Sequence, residues 1–435
     1  MTASVAAMST AVGVLRVPAV RRYLLSTACA AIGINIVITV LFKQIYDRTG
    51  DVFDIGLVGL AQFLPGLLLA LPSGLVADRF DRRRVSASFL SLRLGCIIAL
   101  ALFSRLSDAG GVWLIFVAAA GIGTADAMIS PSRRAIMPLM AAPSDLPRVV
   151  ALWTATFTSC TIIGPALGGF LYSISAELAY TTAAALTAAS IPAILSVTYR
   201  PGVAAVADSA PERPTLRSAL EGLWFIRRTP IVLAAISLDL FAVLFGGAVA
   251  LIPVVATDRL GVGDVAYGWL RAAPGVGAAA MAIVLAVAPV RRRVGPTLLG
   301  VVAVFGAGTI VFGVTSNYAV AFVSLVVLSG ADMVSMFIRG ALVPLATPPE
   351  QLGRVSAVEG VFIGASNELG AFESGLAARY LGVTWAIVGG GIATVAIAGM
   401  FAVVFPSLRR IDTFDDVHVV EGDPSAGDAF SPTSG

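Results

Sequence analysis

Long apolar runs separated by short polar connections fill the chain from residue 23 to residue 405. Each run has roughly the 20 residues that a helix needs to cross the hydrocarbon core of a bilayer. Apolar positions are continuous within the runs and do not alternate with polar ones, which excludes a membrane-spanning β-barrel. The pattern predicts an all-α membrane protein with twelve transmembrane helices, at residues 23–46, 54–77, 86–106, 111–132, 149–174, 178–199, 230–256, 265–290, 297–315, 318–341, 354–380 and 383–405.

Composition and charge support a multi-pass membrane protein. Hydrophobic residues make up 57% of the chain and charged residues 13%, whereas soluble domains carry about 25% charged residues. The formal net charge of +3 does not indicate a nucleic-acid partner, because the basic residues lie in short connections between the spans. Arginines cluster before the first span, after spans 2, 4, 8 and 10, in the central linker and after the last span. By the positive-inside rule, both termini are expected in the cytoplasm and the protein in the cell inner (plasma) membrane.

No feature of the sequence indicates an enzyme, a metal site or a cofactor. Cys29, Cys96 and Cys160 lie apart in separate apolar runs, and His418 is the only histidine. The chain has no Gly-x-x-x-x-Gly-Lys-Ser/Thr run that would bind ATP phosphates. The first span lacks a small-residue cleavage site and is expected to remain as a helix. Lys43, the only lysine, is expected to snorkel towards the membrane surface at the outer end of that span.

Polarity divides the chain into two halves, a linker and a tail. Residues 1–199 and 230–406 each hold six predicted spans, and residues 200–229 form a polar cytoplasmic linker between them. Within the linker, the run from Leu216 to Ile226 has the spacing of an interfacial amphipathic helix. Residues 407–435 are rich in Asp, Pro, Ser and Gly and are expected to form a disordered cytoplasmic tail.

The two halves repeat each other in sequence. A shift of 206 positions superposes the connection after span 4 on the connection after span 10, and it also lays Gly164 and Gly169 on Gly370 and Gly375. Two six-helix halves in the same orientation are typical of transporters that bind their substrate between the halves, near the midplane of the membrane. The repeat therefore predicts a pseudo-symmetric transporter with a small-molecule site at the interface.

The connection between spans 2 and 3 concentrates charge in the run Gly74-Leu-Val-Ala-Asp-Arg-Phe-Asp-Arg-Arg-Arg84. Asp78 could hold the N-terminus of a neighbouring helix, and the arginines could bind carboxylates or anionic lipid headgroups. The run resembles the signature loop of the major facilitator superfamily, and this resemblance implies a gate formed by Gly74, Asp78, Arg79, Arg82 and Arg83. The alternative is a positive-inside anchor, which explains the arginines but not Gly74 or Asp78. Asp126 and the start of span 11 are the expected partners of this loop.

Two aspartates within the spans are related by the same shift of 206 positions. Asp126 and Asp332 each precede an arginine, Arg133 or Arg339, by seven residues, which places them about 10 Å inside the end of the helix. A charge at that depth is costly and indicates function. Either the two aspartates close the cytoplasmic gate with the arginine clusters after spans 2 and 8, or one of them is a proton site. Symmetry and depth favour the gate.

Further ionisable residues within the spans are candidates for coupling or substrate binding: Arg93, Asp239, Arg271, Glu368 and Glu373. A desolvated carboxylate can carry a proton, whereas a buried ion pair with Arg93 or Arg271 would leave it no coupling role. Glu368 and Glu373 point about 140° apart on a helix, so both cannot face a central cavity squarely. Asn35 lies in span 1 where many drug-proton antiporters of the superfamily carry a carboxylate, which puts coupling through that span in doubt.

Span 5 contains Gly164-Pro-Ala-Leu-Gly-Gly169, which resembles the Gly-Pro-x-x-Gly-Gly motif of exporter branches of the superfamily. Glycines such as Gly164, Gly168 and Gly169 allow close helix approach, and Pro165 bends the helix. Ordinary packing of small residues is the alternative explanation. The motif favours export.

Three longer stretches resemble the enterobactin-exporter-like branch of the superfamily, also called transmembrane secretion effectors: Asp239 to Pro253, Gly330 to Ser335 and Arg354 to Gly375. The resemblance implies the major facilitator fold and proton-driven export of siderophores, drugs or other amphipathic small molecules. It also implies a monomer in the lipid bilayer, with protons as the coupling ion and no cofactor. Facilitated uptake of a small metabolite, or a non-transporting membrane sensor or scaffold, are the alternatives.

Overall fold

The structure is a computed structural model that describes residues 14–105, 111–199 and 216–417. Twelve long helices run through these residues, and no β-strand occurs among them. Their bounds are Pro18–Thr49 (α1), Val52–Arg79 (α2), Arg82–Arg105 (α3), Trp113–Met140 (α4), Leu146–Tyr172 (α5), Ala176–Leu195 (α6), Pro230–Arg259 (α7), Asp264–Val287 (α8), Val294–Val314 (α9), Tyr318–Leu345 (α10), Pro349–Leu381 (α11) and Val383–Val404 (α12). The predicted all-α fold of twelve helices in two six-helix halves is confirmed.

The helices follow the predicted spans and differ from them mainly at their ends. The largest difference is at α4, which continues to Met140, whereas its span is predicted to end at residue 132. In the described chain, eleven helices are long and apolar enough to cross a membrane. The remaining long helix, α11, has 33 residues and carries several charged side chains. Because charges are costly in lipid, α11 needs protein or water along much of its length.

Helix α7 is interrupted, although its apolar run predicts one continuous span. It is α-helical over Pro230–Phe245, a 3-10 helix over Gly247–Leu251 and a π-helix over Val255–Arg259. Gly246 and Gly247 weaken the helix at this point, and Pro253 removes a backbone donor in the following turn. The break removes the α-helical pattern of backbone hydrogen bonds, and the Val249 carbonyl within it accepts from Arg271 of α8.

The linker contains the predicted helix, and the tail contains more structure than its polarity suggests. A helix at Leu216–Arg228, called the linker helix below, lies where the interfacial helix is predicted, while residues 200–215 are outside the described residues. Residues 407–435 are predicted to be disordered, but residues 407–417 are ordered. Leu408 and Ile411 are buried in the core of the second half, which orders this segment. Residues 418–435, including His418, lie outside the described residues.

The halves meet along two pairs of helices, α2 with α11 and α5 with α8. Within each half, buried apolar side chains fill the space between the helices. Ile36 and Leu100 belong to a cluster of the first half, and Leu238 and Leu298 to a cluster of the second. Of the charged residues of α11, Arg379 pairs across this interface, with Asp51 at the start of α2.

Candidate functional site

The halves approach most closely at one end of the bundle, called the closed end, where α1 ends and α8 begins. A Cβ atom added at Gly169 of α5 would lie 2.4 Å from the carbonyl oxygen of Asp264. On the other pair of helices, a Cβ atom added at Gly375 of α11 would lie 3.0 Å from the Cα atom of Gly56. Small residues let helix backbones approach this closely. Glycines therefore set the spacing of both contacts between the halves.

Charged and polar side chains link the halves at the closed end. Lys43 of α1 pairs with Asp47 on its own helix, and its Nζ atom lies 3.6 Å from Asp264 of α8. Arg379 of α11 pairs with Asp51 at the start of α2, over 3.1 Å. Two tyrosines also link the halves here. Tyr46 donates to Asp258, and Tyr267 donates to the Thr39 carbonyl.

Lys43 contradicts its predicted role. Its side chain is 7% exposed and lies between two carboxylates, so it does not snorkel to the surface. The sequence does contain an aspartate, Asp264, at the predicted start of another span, which could pair with the only lysine. The two positions are far apart in sequence, so no local pattern connects them.

Towards the opposite end, called the arginine-rich end because Arg79, Arg82 and Arg83 lie there, the same helices diverge. On α2, Gly59 lies against Ala371 and Glu368 of α11, whereas no atom lies within 4 Å of a Cβ atom added at Gly66, two turns further along the same face. The facing helices expose the following residues over the same stretch: Phe157 on α5, Ile283 and Val287 on α8, and Val361, Ile363 and Asn367 on α11. Trp153 stacks on Phe157, with ring centroids 5.7 Å apart. A cleft therefore opens between the halves at the arginine-rich end.

The apex of the cleft brings together residues from both halves. Glu368 of α11 lies against Gly59 of α2, since a Cβ atom there would be 3.7 Å from Oε2 of Glu368. Arg271 of α8 is the charged neighbour of Glu368, and it donates to the Val249 carbonyl over 3.0 Å. This carbonyl belongs to the interrupted part of α7. The break in α7 thus supplies the acceptor that fixes Arg271.

Asn35 and Glu373, which the sequence offers as coupling or substrate candidates, and Gln62 of α2 have no charged partner in the described contacts. Asn35 of α1 donates to the Ala31 carbonyl, and its Cβ atom would lie 2.4 Å from a Cβ atom added at Gly164. Gln62 of α2 has a buried Nε2 atom that makes no hydrogen bond within the described chain. Glu373 lies five residues beyond Glu368 and is half-buried. The cleft apex is therefore polar at a few positions and apolar elsewhere.

The second half contains a buried cluster of acidic residues around one arginine. Arg339 of α10 pairs with Asp239 of α7 over 2.7 Å, and its Nε atom donates to Ser335 over 3.3 Å. Asp332 and Glu359 lie within electrostatic range of the same guanidinium. A cavity of about 10 Å³, lined by Asp239, Asp332 and Ser335 among others, has room for roughly one water molecule. The sequence repeat relates Asp332 to Asp126, and the sequence names Asp239 as a coupling candidate without predicting that it pairs with Arg339.

The first half contains the corresponding cluster with the opposite balance of charge. Arg93 of α3 pairs with Asp126 of α4. Arg133 donates to Ser26 over 2.8 Å and to Thr27 over 3.3 Å, both on α1. Asp126 therefore has its ion pair inside its own half, and not with the arginines of the Gly74 to Arg84 connection as expected from the sequence.

The Gly74 to Arg84 connection is shorter than predicted, because Gly74, Asp78 and Arg79 belong to the last turns of α2. Arg82 and Arg83 begin α3, so only Phe80 and Asp81 connect the two helices. The side chain of Asp78 lies outside the described residues.

Asp81 and Arg83 form an ion pair at the start of α3. Arg83 pairs with Asp81 over 2.8 Å and donates to the Val197 carbonyl over the same distance. The guanidinium of Arg83 holds the pKa of Asp81 at about 2, below its usual value of 3.8. The start of α11, which is the second expected partner of this connection, instead meets the linker helix through a 2.8 Å ion pair of Arg354 and Glu221.

The Gly164 to Gly169 motif faces two different helices. Gly164 and Gly168 lie against α1, where a Cβ atom at Gly168 would be 3.2 Å from the Thr39 Cβ atom. Gly169 lies against α8, and the carbonyl oxygen of Pro165 would be 2.8 Å from a Cβ atom at Gly268. The motif is therefore a seam that packs α5 within its own half and against the other half at once.

Comparisons with known proteins place this arrangement among transporters. A family model for the Major Facilitator Superfamily matches residues 23–358. Uncharacterized MFS-type transporter YfiS of Bacillus subtilis (strain 168) is 26% identical over 372 residues, which cover 81% of this chain and 84% of the relative. Enterobactin exporter EntS of Escherichia coli O1:K1 / APEC is 26% identical over 416 residues, which cover 90% of this chain and 93% of the relative. A solved POT family transporter in complex with 5-aminolevulinic acid has the same fold at a TM-score of 0.70, with 12% identity and coverage of 89% of this chain and 96% of that one.

Proposed function

The chain belongs to the Major Facilitator Superfamily, whose members are membrane transporters and not enzymes, and on this premise we propose that it exports small amphipathic molecules by alternating access. The observation that carries the proposal is the difference between the two ends of the interface. The halves are linked at the closed end and diverge at the arginine-rich end. Arginine-rich connections are retained in the cytoplasm, so in this proposal the cleft accepts substrate from inside the cell.

Two observations support export over uptake. The chain is similar to an enterobactin exporter over most of its length. It also carries the glycine and proline seam of α5, in which Gly169 packs on α8 and Gly168 on α1. Because this seam joins both halves, it can transmit a rearrangement of α1 to the closed end. The protein lies in the inner membrane with both termini in the cytoplasm, and each monomer has its own cleft.

The lining of the cleft indicates the class of substrate. Trp153 and Phe157 offer a stacked aromatic surface, and Asn367 offers an amide group. A mainly apolar cleft with a few polar groups fits an amphipathic molecule such as a siderophore or a drug. Arg271 and Glu368 lie deeper, at the apex, where they can bind a polar group of the substrate.

Protons drive export in this proposal, and Glu368 is the first candidate for the coupling group. It lies on α11 against Gly59 of the other half, so its charge state acts directly on a contact between the halves. Arg271 is held by the Val249 carbonyl and remains the cation that Glu368 faces when it loses a proton. Proton binding at Glu368 weakens this attraction within the second half and frees the neutral side chain to move away from Gly59, which favours separation at the closed end. Asp239 and Asp332, in the buried cluster of the second half, are the alternative coupling groups.

The gate acts at the arginine-rich end. We infer that Asp78, Arg79, Arg82 and Arg83 hold the start of α11 when the cleft closes on that side, and that Gly74 allows the approach. In the present conformation Arg354 at the start of α11 is paired with Glu221. Asp126, Arg133, Asp332 and Arg339 keep the helices of each half together while the halves move.

Transport by the purified protein in liposomes tests the proposal. A pH gradient that is acidic on the closed-end side should drive a fluorescent amphipathic cation or a ferric-siderophore analogue towards that side, and a protonophore should abolish the flux. Substrate movement in the opposite direction under the same gradient would indicate uptake. No gradient-dependent flux, and no proton release on adding substrate, would indicate a sensor or scaffold. Metabolite profiling of the medium of a deletion strain and its complemented strain would then identify the exported compound.

A further inference from the structure

The linker helix, Leu216–Arg228, presents one face to the protein and the other to its surroundings. Leu220 and Trp224 are 64% and 50% exposed, and Arg227 and Arg228 are exposed as well. On a helix with 3.6 residues per turn, these four side chains fall within a sector of about 100°. Apolar and cationic groups therefore share one uncovered face.

The opposite face is fixed to the second half. A Cβ atom added at Gly222 would lie 2.8 Å from the Arg354 carbonyl oxygen, so the linker helix contacts the backbone of α11 directly. Ile226 is 1% exposed and belongs to the core cluster of the second half. Glu221 adds the 2.8 Å ion pair with Arg354. These contacts fix which face of the linker helix points away from the protein.

The junction with α7 places the uncovered face at the membrane surface. Only Thr229 separates the last residue of the linker helix from Pro230, the first residue of α7. The Thr229 amide donates to the Phe225 carbonyl over 3.0 Å, so this junction is short and ordered. Since α7 crosses the bilayer, the linker helix lies at the level where headgroups meet water. A tryptophan and an arginine at this level are typical of interfacial anchors.

The side chains of this face are arranged for a phosphate. The guanidinium carbon of Arg228 lies 3.4 Å from the centroid of the Trp224 ring, which orients the planar cation. Arg227 is its neighbour, while Glu221, the nearest acidic residue of the helix, is paired with Arg354. The uncovered face therefore combines two cations with an apolar surface. A lipid with an anionic headgroup matches both parts.

We propose that Leu220, Trp224, Arg227 and Arg228 form a docking surface for anionic phospholipid. The two apolar side chains enter the boundary of the acyl chains, and the two arginines bind headgroup phosphates. Because the opposite face holds Arg354, lipid binding stabilises the contact of the linker helix with α11 and favours the conformation that is open at the arginine-rich end. Lipid binding stands without the proposed export function, whereas its effect on flux rests on it.

The test compares lipid binding by the full chain and by an Arg227→Gln/Arg228→Gln double variant. Native mass spectrometry with added phosphatidylglycerol should give tighter binding than with phosphatidylcholine. Each arginine lost should weaken phosphatidylglycerol binding about fivefold, and phosphatidylcholine binding should not change. Trp224→Ala should weaken binding of both lipids, because the apolar contact does not depend on the headgroup.

The matched control is Arg409→Gln/Arg410→Gln, which removes two exposed adjacent arginines after α12. This variant should keep the preference for phosphatidylglycerol. Equal losses in the two double variants would overturn the proposal, because they would indicate only a general attraction of positive charge. Unchanged binding by the Arg227 and Arg228 variant, with an unchanged melting temperature, would overturn it too. A normal lipid preference without any transport by the unmodified protein would reject the export function and leave the lipid site in place.

Discussion

The carboxylate of Asp239 and the guanidinium of Arg339 are 2.7 Å apart, with side chains 8% and 4% exposed, and they join α7 to α10. The equivalent arginine of the first half, Arg133, is joined to α1 through the neutral hydroxyls of Ser26 and Thr27. The repeat therefore preserves the arginine and the helix pair it connects, but it changes the charge of the acceptor. An ion pair in one half replaces neutral hydrogen bonds in the other.

Removing one partner of this ion pair should destabilise the second half. We expect Arg339→Met to lower the free energy of unfolding by about 3 to 5 kcal/mol, because Asp239 would be left as an uncompensated buried charge. The double variant Arg339→Met/Asp239→Leu should recover part of that loss, because Asp332 and Glu359 remain beside the site of the removed guanidinium. Denaturant unfolding in detergent micelles measures both. The control is Arg148→Gln, which breaks an exposed pair with Asp145 and should cost less than about 1 kcal/mol. A double variant no more stable than the single one would contradict the assignment.

Enlarging Gly169 should separate the halves at the closed end. A Cβ atom at this position would lie 2.4 Å from the Asp264 carbonyl and 2.5 Å from the Cα atom of Gly268. Because these are backbone atoms, Gly169→Ala requires α5 and α8 to move apart. We therefore expect the export rate to fall about tenfold. Flux in proteoliposomes measures the loss, and spin labels on α5 and α8 measure the distance.

Gly300→Ala is the matched control for this prediction. Gly300 lies within α9, which packs on α10 and α12 of its own half, and no atom is within 4 Å of an added Cβ atom there. Its flux should remain near that of the unmodified protein. Replacing Pro165 or Gly168 should also reduce export, and normal export in these variants would argue against the proposed role of the seam.

Neutralising Glu368 should separate proton movement from substrate movement. We expect Glu368→Gln to lose flux driven by a pH gradient and to retain exchange of substrate across the membrane without a gradient, because the permanently neutral side chain no longer needs a proton. Stopped-flow measurements of internal pH and counterflow of labelled substrate give the two rates. Glu350→Gln, at an exposed position in the first turn of α11, is the control and should behave as the unmodified protein. If gradient-driven flux persists in Glu368→Gln, Asp239 or Asp332 becomes the better candidate.

The sequence predicts the helices well and their contacts poorly. Each span follows from local apolar composition, so the twelve helices and the repeat can be derived without a structure. The interruption of α7 is less evident, because its apolar run is continuous through Gly246 and Gly247. Arg271 could be recognised as an ionisable residue within a span, but its acceptor, the Val249 carbonyl, exists only because of that interruption.

The partners of the charged residues are the other part that local patterns do not predict. Asp126 is expected to meet arginines after span 2, yet it pairs with Arg93 of the adjacent helix. Lys43 is expected at the surface, yet it is buried against Asp264 of the other half. For Asp126 the sequence correctly identifies an ionisable residue at a costly depth, whereas for Lys43 the predicted position at the surface is wrong. In both cases the partner depends on how helices pack, and that information is distributed over the whole chain.

Removing the carboxylate of Asp78 tests the gate at the arginine-rich end. We expect Asp78→Asn to abolish flux and to leave substrate binding and the melting temperature nearly normal, because the gate is needed only when the cleft closes on that side. Equilibrium binding of substrate and flux in liposomes, measured on the same preparation, separate the two effects. Loss of binding, or flux at the unmodified rate, would contradict the gate.

Asp81→Asn is the neighbouring control for Asp78→Asn. Asp81 pairs with Arg83 within the connection, and the pKa of its carboxyl is lowered to about 2 from 3.8. Because the pKa is lower in the folded state, the ionised pair stabilises the protein at any pH above 3.8, the pKa of the unfolded chain. This stabilisation is lost as the pH falls through about 2. We therefore expect Asp81→Asn to have a slightly lower melting temperature than the unmodified protein at neutral pH and to retain flux. If Asp81→Asn and Asp78→Asn lose flux equally, the connection as a whole is required, and Asp78 has no separate role in the gate.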